Sequence, residues 1–409
     1  MHSIQTVKLN RTTLMFPLAL VLFEFSVYIG NDLVQPAMLA ITQDFGVSSA
    51  WAPSSMSFYL LGGACVAWLL GPLSDRFGRK KVLLNGVLFF AITCLLILLT
   101  TDIESFLALR FLQGFGLSVI SAIGYAAIQE NFDERDAIKV MALMANVSLL
   151  APLLGPVLGA FMIDHVSWHW GFIGIAILTI CSWFGLKAKM PDMKRSVPKQ
   201  PISYILDDYK KVFKNKNFLA FTLALPLVSM PLMLWIALSP VMLIEYLGLS
   251  SMQYGLAQFP VLGGLILGNI MLLKIIDKFP LGKTVLIGLP LMLLGTLIVL
   301  IGAIWQQYFV VCLILGMSLV SFGEGMSFSV LYRFALMSSG VSKGTVAAAV
   351  SVLLMLCFFI FLELARVLYE HFYIWAFSLI CFTFIALWFT FPRISLKKLM
   401  LERIEKGEF

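Results

Sequence analysis

The sequence predicts an all-α integral membrane protein, with twelve transmembrane helices in two six-helix halves. Three observations carry the prediction. Of 409 residues, 60% are hydrophobic and only 12% charged, with a mean hydropathy of +0.95. The apolar runs exceed the ~20 residues a spanning helix needs, and twelve of them stand near 13–41, 51–72, 82–100, 105–129, 138–163, 167–186, 218–246, 252–276, 282–303, 307–336, 345–369 and 372–392. Lys and Arg then fall on alternate connections: the head, the loops after even-numbered spans and the tail hold 27 of the 29 basic residues. An even span count puts both termini on one side, and that charge bias makes it the cytoplasmic side. The net charge of +7 is thus a topology signal, and no nucleic-acid partner is expected.

The first run follows a short polar head carrying Lys8 and Arg11. It is too long for a signal-peptide core and is read as a retained signal-anchor span. Inside it, FEFSVYIGNDLVQ (23–35) carries two carboxylates, Glu24 and Asp32. A charge at mid-bilayer costs ~3 kcal/mol or more, so such groups face a watery cavity or a partner. Their eight-residue spacing leaves them about 80° apart around the helix and ~12 Å apart along it. Tyr28 lies midway, so all three share one broad face. That face suits protons, cations or cationic solutes; buried acids satisfied by neighbours, with a purely stabilising role, are the alternative.

Between spans two and three stands Gly71-Pro-Leu-Ser-Asp75-Arg76-Phe-Gly78-Arg79-Lys80-Lys81. Gly71 and Gly78 are read as allowing close helix approach and a tight turn, with the acid and bases clustered at the rim of the bundle. Arg110, in RFLQGFG of the fourth span, is the first intramembrane cation; a guanidinium keeps its charge and needs carboxylate or carbonyl partners. In the fifth span, Ala151-Pro152-Leu-Leu-Gly155-Pro156-Val-Leu-Gly159-Ala160 offers small residues for tight packing and prolines that kink a helix.

The longest connection, 187–217, holds nine Lys or Arg. It separates an N-terminal six-helix bundle (1–186) from a C-terminal bundle and tail (218–409). Within it, PISYILDDYKKVFK places Ile202, Ile205, Leu206, Tyr209, Val212 and Phe213 on one stripe, the pattern of an amphipathic helix lying on membrane lipids, or of a solvated linker helix. A faint repeat supports the division: KIIDKFPLGKTVLIG, between spans eight and nine, matches the 69–86 segment at an offset of 202 residues, with Asp277 on Asp75 and Lys283 on Lys81. Repeated halves are common in secondary transporters. In the tenth span, SFGEGMSFSV sets Glu324 between two glycines and nine residues before Arg333, so it belongs well inside the bilayer. It either adds a third titratable group or pairs with a basic neighbour. Glu363 and Arg366 are spaced for a local ion pair.

Other chemistries find little support. The cysteines (65, 94, 181, 312, 357 and 381) are isolated, so neither a metal site nor a disulfide is expected. There is no G-x-x-x-x-G-K-[ST] for ATP, and no nucleophile–base pair that marks an enzyme.

The 71–81 segment resembles the cytoplasmic signature of the major facilitator superfamily, G-x-L-a-D-R-x-G-R-K; the Arg110 segment resembles its R-x-x-Q-G, and the fifth-span segment resembles the signature of its exporters. FEFSVYIGNDLVQPAMLA, SDRFGRK, LRFLQGFGLS, GYAAIQE and ALMANVSLLAPLLGP together are similar to the MdfA-type multidrug/proton antiporters of bacterial inner membranes. The resemblance implies that Glu24 and Asp32 take up the proton and cation, that Arg110 supports the coupling acid, and that Tyr28, Asn31, Met56, Tyr125 and Met144 line a drug cavity. Aromatic and Met side chains suit promiscuous cationic ligands. It further implies that Gly71, Asp75, Arg76, Gly78 and Arg79 form a clasp, with Asp75 near Ser342–Thr345 at the start of span eleven. Glu324 departs from that family, which is expected to have an apolar residue there. The expected function is export of lipophilic, cationic and neutral compounds, driven by the proton gradient with no other cofactor, by a monomer. A dedicated exporter of one metabolite such as a siderophore, and a proton-coupled uptake symporter, are the rivals.

Overall fold

In the computed structural model, residues 13–192, 202–276, 278–279 and 282–390 are described. Every regular element among them is helical. Ten helical segments are long and apolar enough to cross a membrane, and Leu150–His165 and Ile374–Thr390 are shorter apolar helices. The twelve spans follow the sequence reading to within a few residues. The first, Met15–Asp32, continues through Leu33 into Val34–Asp44. Then come Ser49–Phe77, Arg79–Leu99 and Ile103–Asn131, Glu134–His165 and His169–Lys189. The second set is Lys216–Tyr246, Ser251–Ile275, Lys283–Ile304, Gln306–Met337, Lys343–Phe372 and Ile374–Thr390.

Caps set several ends. Asp102 accepts the Ser105 N–H at 2.7 Å before the fourth span, and that bond holds its carboxyl below the usual range. Asp133 does the same for Asp136 before the fifth. Ser250 and Gln253 form a reciprocal capping box before the eighth, which satisfies two amides that the helix cannot pair.

The chain divides into two compact units, one of residues up to Ser49 with Ser54–Asp207, the other of Ala50–Pro53 with Asp208 onward. In the first unit, the first span packs against the fifth and sixth; Ser182 Oγ donates to Ala19 O at 2.7 Å. Spans two and four meet backbone to backbone: a Cβ on Gly62 or Gly114 would run into the carbonyls of Phe111 and Tyr59. In the second unit, span ten lies between spans eight and nine. Gly325 abuts Leu265 and Asn269 of the eighth, while Gly323 abuts Gly288 and Met292 of the ninth. Such approach is the packing that lipid-embedded helices rely on, since lipid offers no hydrophobic drive between them.

The linker helix forms as Ile202–Lys214. On its stripe, Val212 is buried and Tyr209 stacks with Phe213 at 6.3 Å, but Leu206 is exposed. The 71–81 segment differs from its expected form. Helix continues through Phe77 and resumes at Arg79, so the connection is Gly78 alone, at φ +96°, where a side chain would be strained. Gly71 is corrected: a Cβ there meets nothing within 4 Å, so no close approach requires that glycine. In the repeat, the turn glycine is Gly282, at φ +98°, two residues later than the 202-residue offset requires; Asp277 lies outside the described residues.

Candidate functional site

Glu24 is fully buried on the first span. Its Oε1 accepts from Tyr125 Oη at 2.9 Å, and Ser148 Oγ lies 2.9 Å away on the other side. Its Oε2 is buried and has no hydrogen-bond partner among the described residues. The fourth and fifth spans thus hold one oxygen and leave the other uncommitted among the described residues. A carboxylate so placed has room for a proton, or for a cationic group brought by a ligand. Tyr125 owes its aim to local structure: a π-helical turn, Ile120–Gly124, directly precedes it. An extra residue in a turn shifts the phase of the helix beyond it.

Asp32 is 4% exposed, and its Oδ1 accepts from Asn31 Nδ2 at 3.1 Å. The other end of that amide, Asn31 Oδ1, accepts from Arg110 Nη2 at 3.1 Å. Arg110 therefore reaches Asp32 through one amide, and no ion pair joins them. The rest of the guanidinium is satisfied by Gly30 O at 3.2 Å, Gln113 Oε1 at 2.7 Å and Ser55 Oγ at 3.0 Å, which brings four of its N–H groups into use. Its Cζ stands 4.5 Å from the centre of the Tyr59 ring, and Tyr59 Oη donates to Val27 O at 2.8 Å. Neutral acceptors and a π face hold this buried cation, so the acid beside it is not consumed in pairing.

The fifth-span glycines press on the same place. A Cβ on Gly155 would lie 2.6 Å from Asp32 Cβ and 3.0 Å from its backbone carbon, and one on Gly159 would collide with Leu33 O. Pro152 and Pro156 lie inside that helix. The segment read as a packing face is packed against the acid-bearing turn of the first span.

Of the residues expected along a drug cavity, Tyr28 and Tyr125 are half-buried, while Met56 and Met144 are buried. Met144 O lies 3.1 Å from Ser148 Oγ. Asn31, expected along the same cavity, is buried, with both ends of its amide engaged between Arg110 and Asp32.

At the 71–81 turn, Arg79 joins three spans. It bonds both oxygens of Glu130, Nε to Oε2 at 2.6 Å and Nη2 to Oε1 at 2.5 Å. It also pairs with Asp75 at 3.0 Å and donates to Ser74 Oγ at 3.1 Å. Gly78 sets the angle of this turn. Arg76 is exposed, its Cζ 5.8 Å from the Phe77 ring.

In the second unit, Glu324 is 5% exposed. Its Oε2 is buried without a hydrogen-bond partner, and no ion pair reaches it among the described residues. Pairing with a basic neighbour is thus not its arrangement here. The Glu363–Arg366 pair does form, at 3.0 Å.

Sequence reasoning missed Ser148, Ser55, Gln113, Tyr59 and Glu130. Gln113 carried a signal, as the glutamine of RFLQG one helical turn past Arg110. Glu130 carried a weaker one, an acid ending the fourth span on the basic side. The others are ordinary residues until the spans are packed.

Twelve apolar helices with carboxylates buried among them define a multi-pass membrane transporter rather than an enzyme. The chain belongs to the major facilitator superfamily, whose family description matches residues 20–362. It is 74% identical over 404 residues to the chloramphenicol resistance protein CraA of Acinetobacter baumannii, covering 99% of this chain and 98% of that one. It is 46% identical to the multidrug transporter MdfA of Edwardsiella ictaluri over 366 residues, 89% of each chain, and equally to that of Yersinia pestis over 363 residues, 88% of this chain and 89% of that one. Among solved structures, a D-xylose-proton symporter superposes with a TM-score of 0.70 at 17% identity, covering 93% of this chain and 97% of that one. A bacterial homologue of the lysosomal transporter Spinster gives 0.67 at 12%, covering 96% and 98%. These last two share the fold.

Proposed function

We propose that this protein is a proton-coupled antiporter that exports lipophilic cationic and neutral compounds, chloramphenicol among them, across a bacterial inner membrane by alternating access. Both termini lie in the cytoplasm, the proton gradient is the only energy source, and the protein works as a monomer among membrane lipids. The observation that carries this reading is the state of the two first-span acids: both buried and, among the described residues, neither ion-paired and Glu24 with one oxygen uncommitted. The chloramphenicol resistance and multidrug relatives support the substrate class.

In this mechanism Asp32 exchanges the proton. It is deprotonated while a substrate occupies the transporter and protonated on the empty return. Asn31 and Arg110 hold it, so that loss of its proton is felt by a fixed positive charge one amide away. Glu24 receives the cationic end of a substrate on Oε2, while Tyr125 and Ser148 fix Oε1. Tyr28, Met56 and Met144 supply apolar and aromatic contact. Glu324 adds an acid from the second unit. The Asp75–Arg79–Glu130 cluster biases the conformational equilibrium.

The test is drug accumulation in cells lacking their own efflux pumps. Expression should lower the uptake of chloramphenicol and of a monovalent cationic dye, and a proton uncoupler should abolish both effects. Export that survives the uncoupler would refute the coupling.

A further inference from the structure

The first unit carries a second feature, apart from the buried acids of the first span. A groove of about 490 Å³ opens on its outer surface between spans two, three and four. Leu73 and Phe77 form one wall, Lys81, Asn85 and Phe89 the other, and Phe115 lies at its inner end. Lys81, Asn85 and Phe89 recur every four residues, so they descend one face of the third span. Eight residues of helix cover ~12 Å, against ~15 Å for one leaflet of the hydrocarbon core. The groove thus runs from the rim to near mid-membrane. Its inner end is apolar, with Phe89 and Phe115 stacked at 5.6 Å.

The polar groups along it make no hydrogen bond or ion pair among the described residues. Lys81 and Asn85 are exposed, and neither makes an ion pair or hydrogen bond among the described residues. Arg76, one residue before Phe77, is likewise without an ion pair there. Asn85 is the informative residue. Its neighbours on the outer face are Leu88, Phe89 and Ile92, and an amide on such a face needs a partner. A lone acyl chain or an apolar solute would fill the groove but answer neither Asn85 nor Lys81.

We propose that the groove binds one anionic phospholipid. Its phosphate sits on Lys81, its glycerol-ester carbonyl accepts from Asn85 one turn deeper, and an acyl chain lies between Phe77 and Phe89 down to Phe115. Charge complementarity selects the headgroup, and groove length matches the chain. The second and third spans form the groove walls and also carry Asp75 and Arg79, so an occupying lipid braces the turn at Gly78 from outside. The binding claim is independent of the antiport reading.

The test is a photoreactive benzoylphenylalanine replacing Phe89 in the full-length protein. The protein is reconstituted in vesicles of equal phosphatidylglycerol and phosphatidylcholine with matched chains. Irradiation should attach phosphatidylglycerol about fivefold over phosphatidylcholine, the order expected for one basic group near an anionic surface. Lys81→Gln in the same background should return the ratio to one, and Lys81→Arg should keep it. Asn85→Leu should lower total lipid capture. Equal capture of the two lipids by the unsubstituted groove would overturn the proposal. So would a preference untouched by Lys81→Gln, or efficient labelling by added lipophilic drug in place of lipid.

Discussion

At the scale of single residues, neutral acceptors hold the buried cation and leave the buried acids available. Arg110 was legible in the sequence as an intramembrane cation, and Glu24 and Asp32 as intramembrane acids; their partners were not. Ser55, Tyr59 and Asn31 come from other spans, and no spacing rule links them to Arg110. The consequence is a sharp expectation for Asn31. Asn31→Leu removes an acceptor from the guanidinium and the hydrogen-bond donor of Asp32, and a buried bond to a charged group contributes ~1.5–3 kcal/mol. Export should fall tenfold or more, while the amount of protein in the membrane stays within about twofold. Export near the wild-type rate would show that Arg110 does not act through this amide. Asp32→Asn should abolish proton-driven export outright, since the amide resembles the acid in size but carries no exchangeable charge. Glu24→Gln should be milder and spare neutral substrates; equal loss of neutral and cationic export would contradict the division of labour. For Glu324, with an oxygen unsatisfied and no ion pair among the described residues, Glu324→Ile should reduce export of a divalent cation and spare monovalent and neutral compounds. Uniform loss together with a lower melting temperature would mean that the carboxylate is structural.

At the scale of elements, the fifth span is the case where sequence and structure meet most closely. Gly155 and Gly159 read as a packing face, and they do pack, against the turn that holds Asp32. Gly155→Ala would force a carbon into the 2.6 Å gap before Asp32 Cβ. Overpacking of this kind costs about 1–3 kcal/mol, so a lower melting temperature and lost export should appear together. Gly174→Ala in the sixth span is the control, because a Cβ there meets nothing within 4 Å. If both substitutions are equally tolerated, the fifth span does not position the acid. The 71–81 segment teaches the opposite lesson. Its charges and turn glycine were legible, but Gly71 was over-read, and the main partner of Arg79 proved to be Glu130, 51 residues away. Glu130→Gln should therefore slow turnover as much as Arg79→Lys, with ligand affinity changed less than about twofold. A selective affinity loss at normal turnover would place this cluster in the binding site.

At the scale of the whole molecule, hydropathy and charge bias made the twelve-span architecture readable, because a bilayer permits few solutions to the hydrogen-bonding demand of the backbone. Span limits moved by only a few residues, as at the first span, where helix runs on to Asp44. What stayed hidden were interior irregularities such as the π-helical turn before Tyr125, which no composition marks. The central claim is that the first-span acids, Asp32 for the proton and Glu24 for a cationic substrate, couple movement of the two in opposite directions. Its most direct measurement uses purified protein in liposomes with an imposed pH gradient, following a monovalent cationic substrate. Wild-type protein should move the substrate toward the side with the higher proton concentration, and Asp32→Asn should move none in response to the gradient. Substrate accumulating on the side to which protons flow, or gradient-driven transport persisting in Asp32→Asn, would contradict the account.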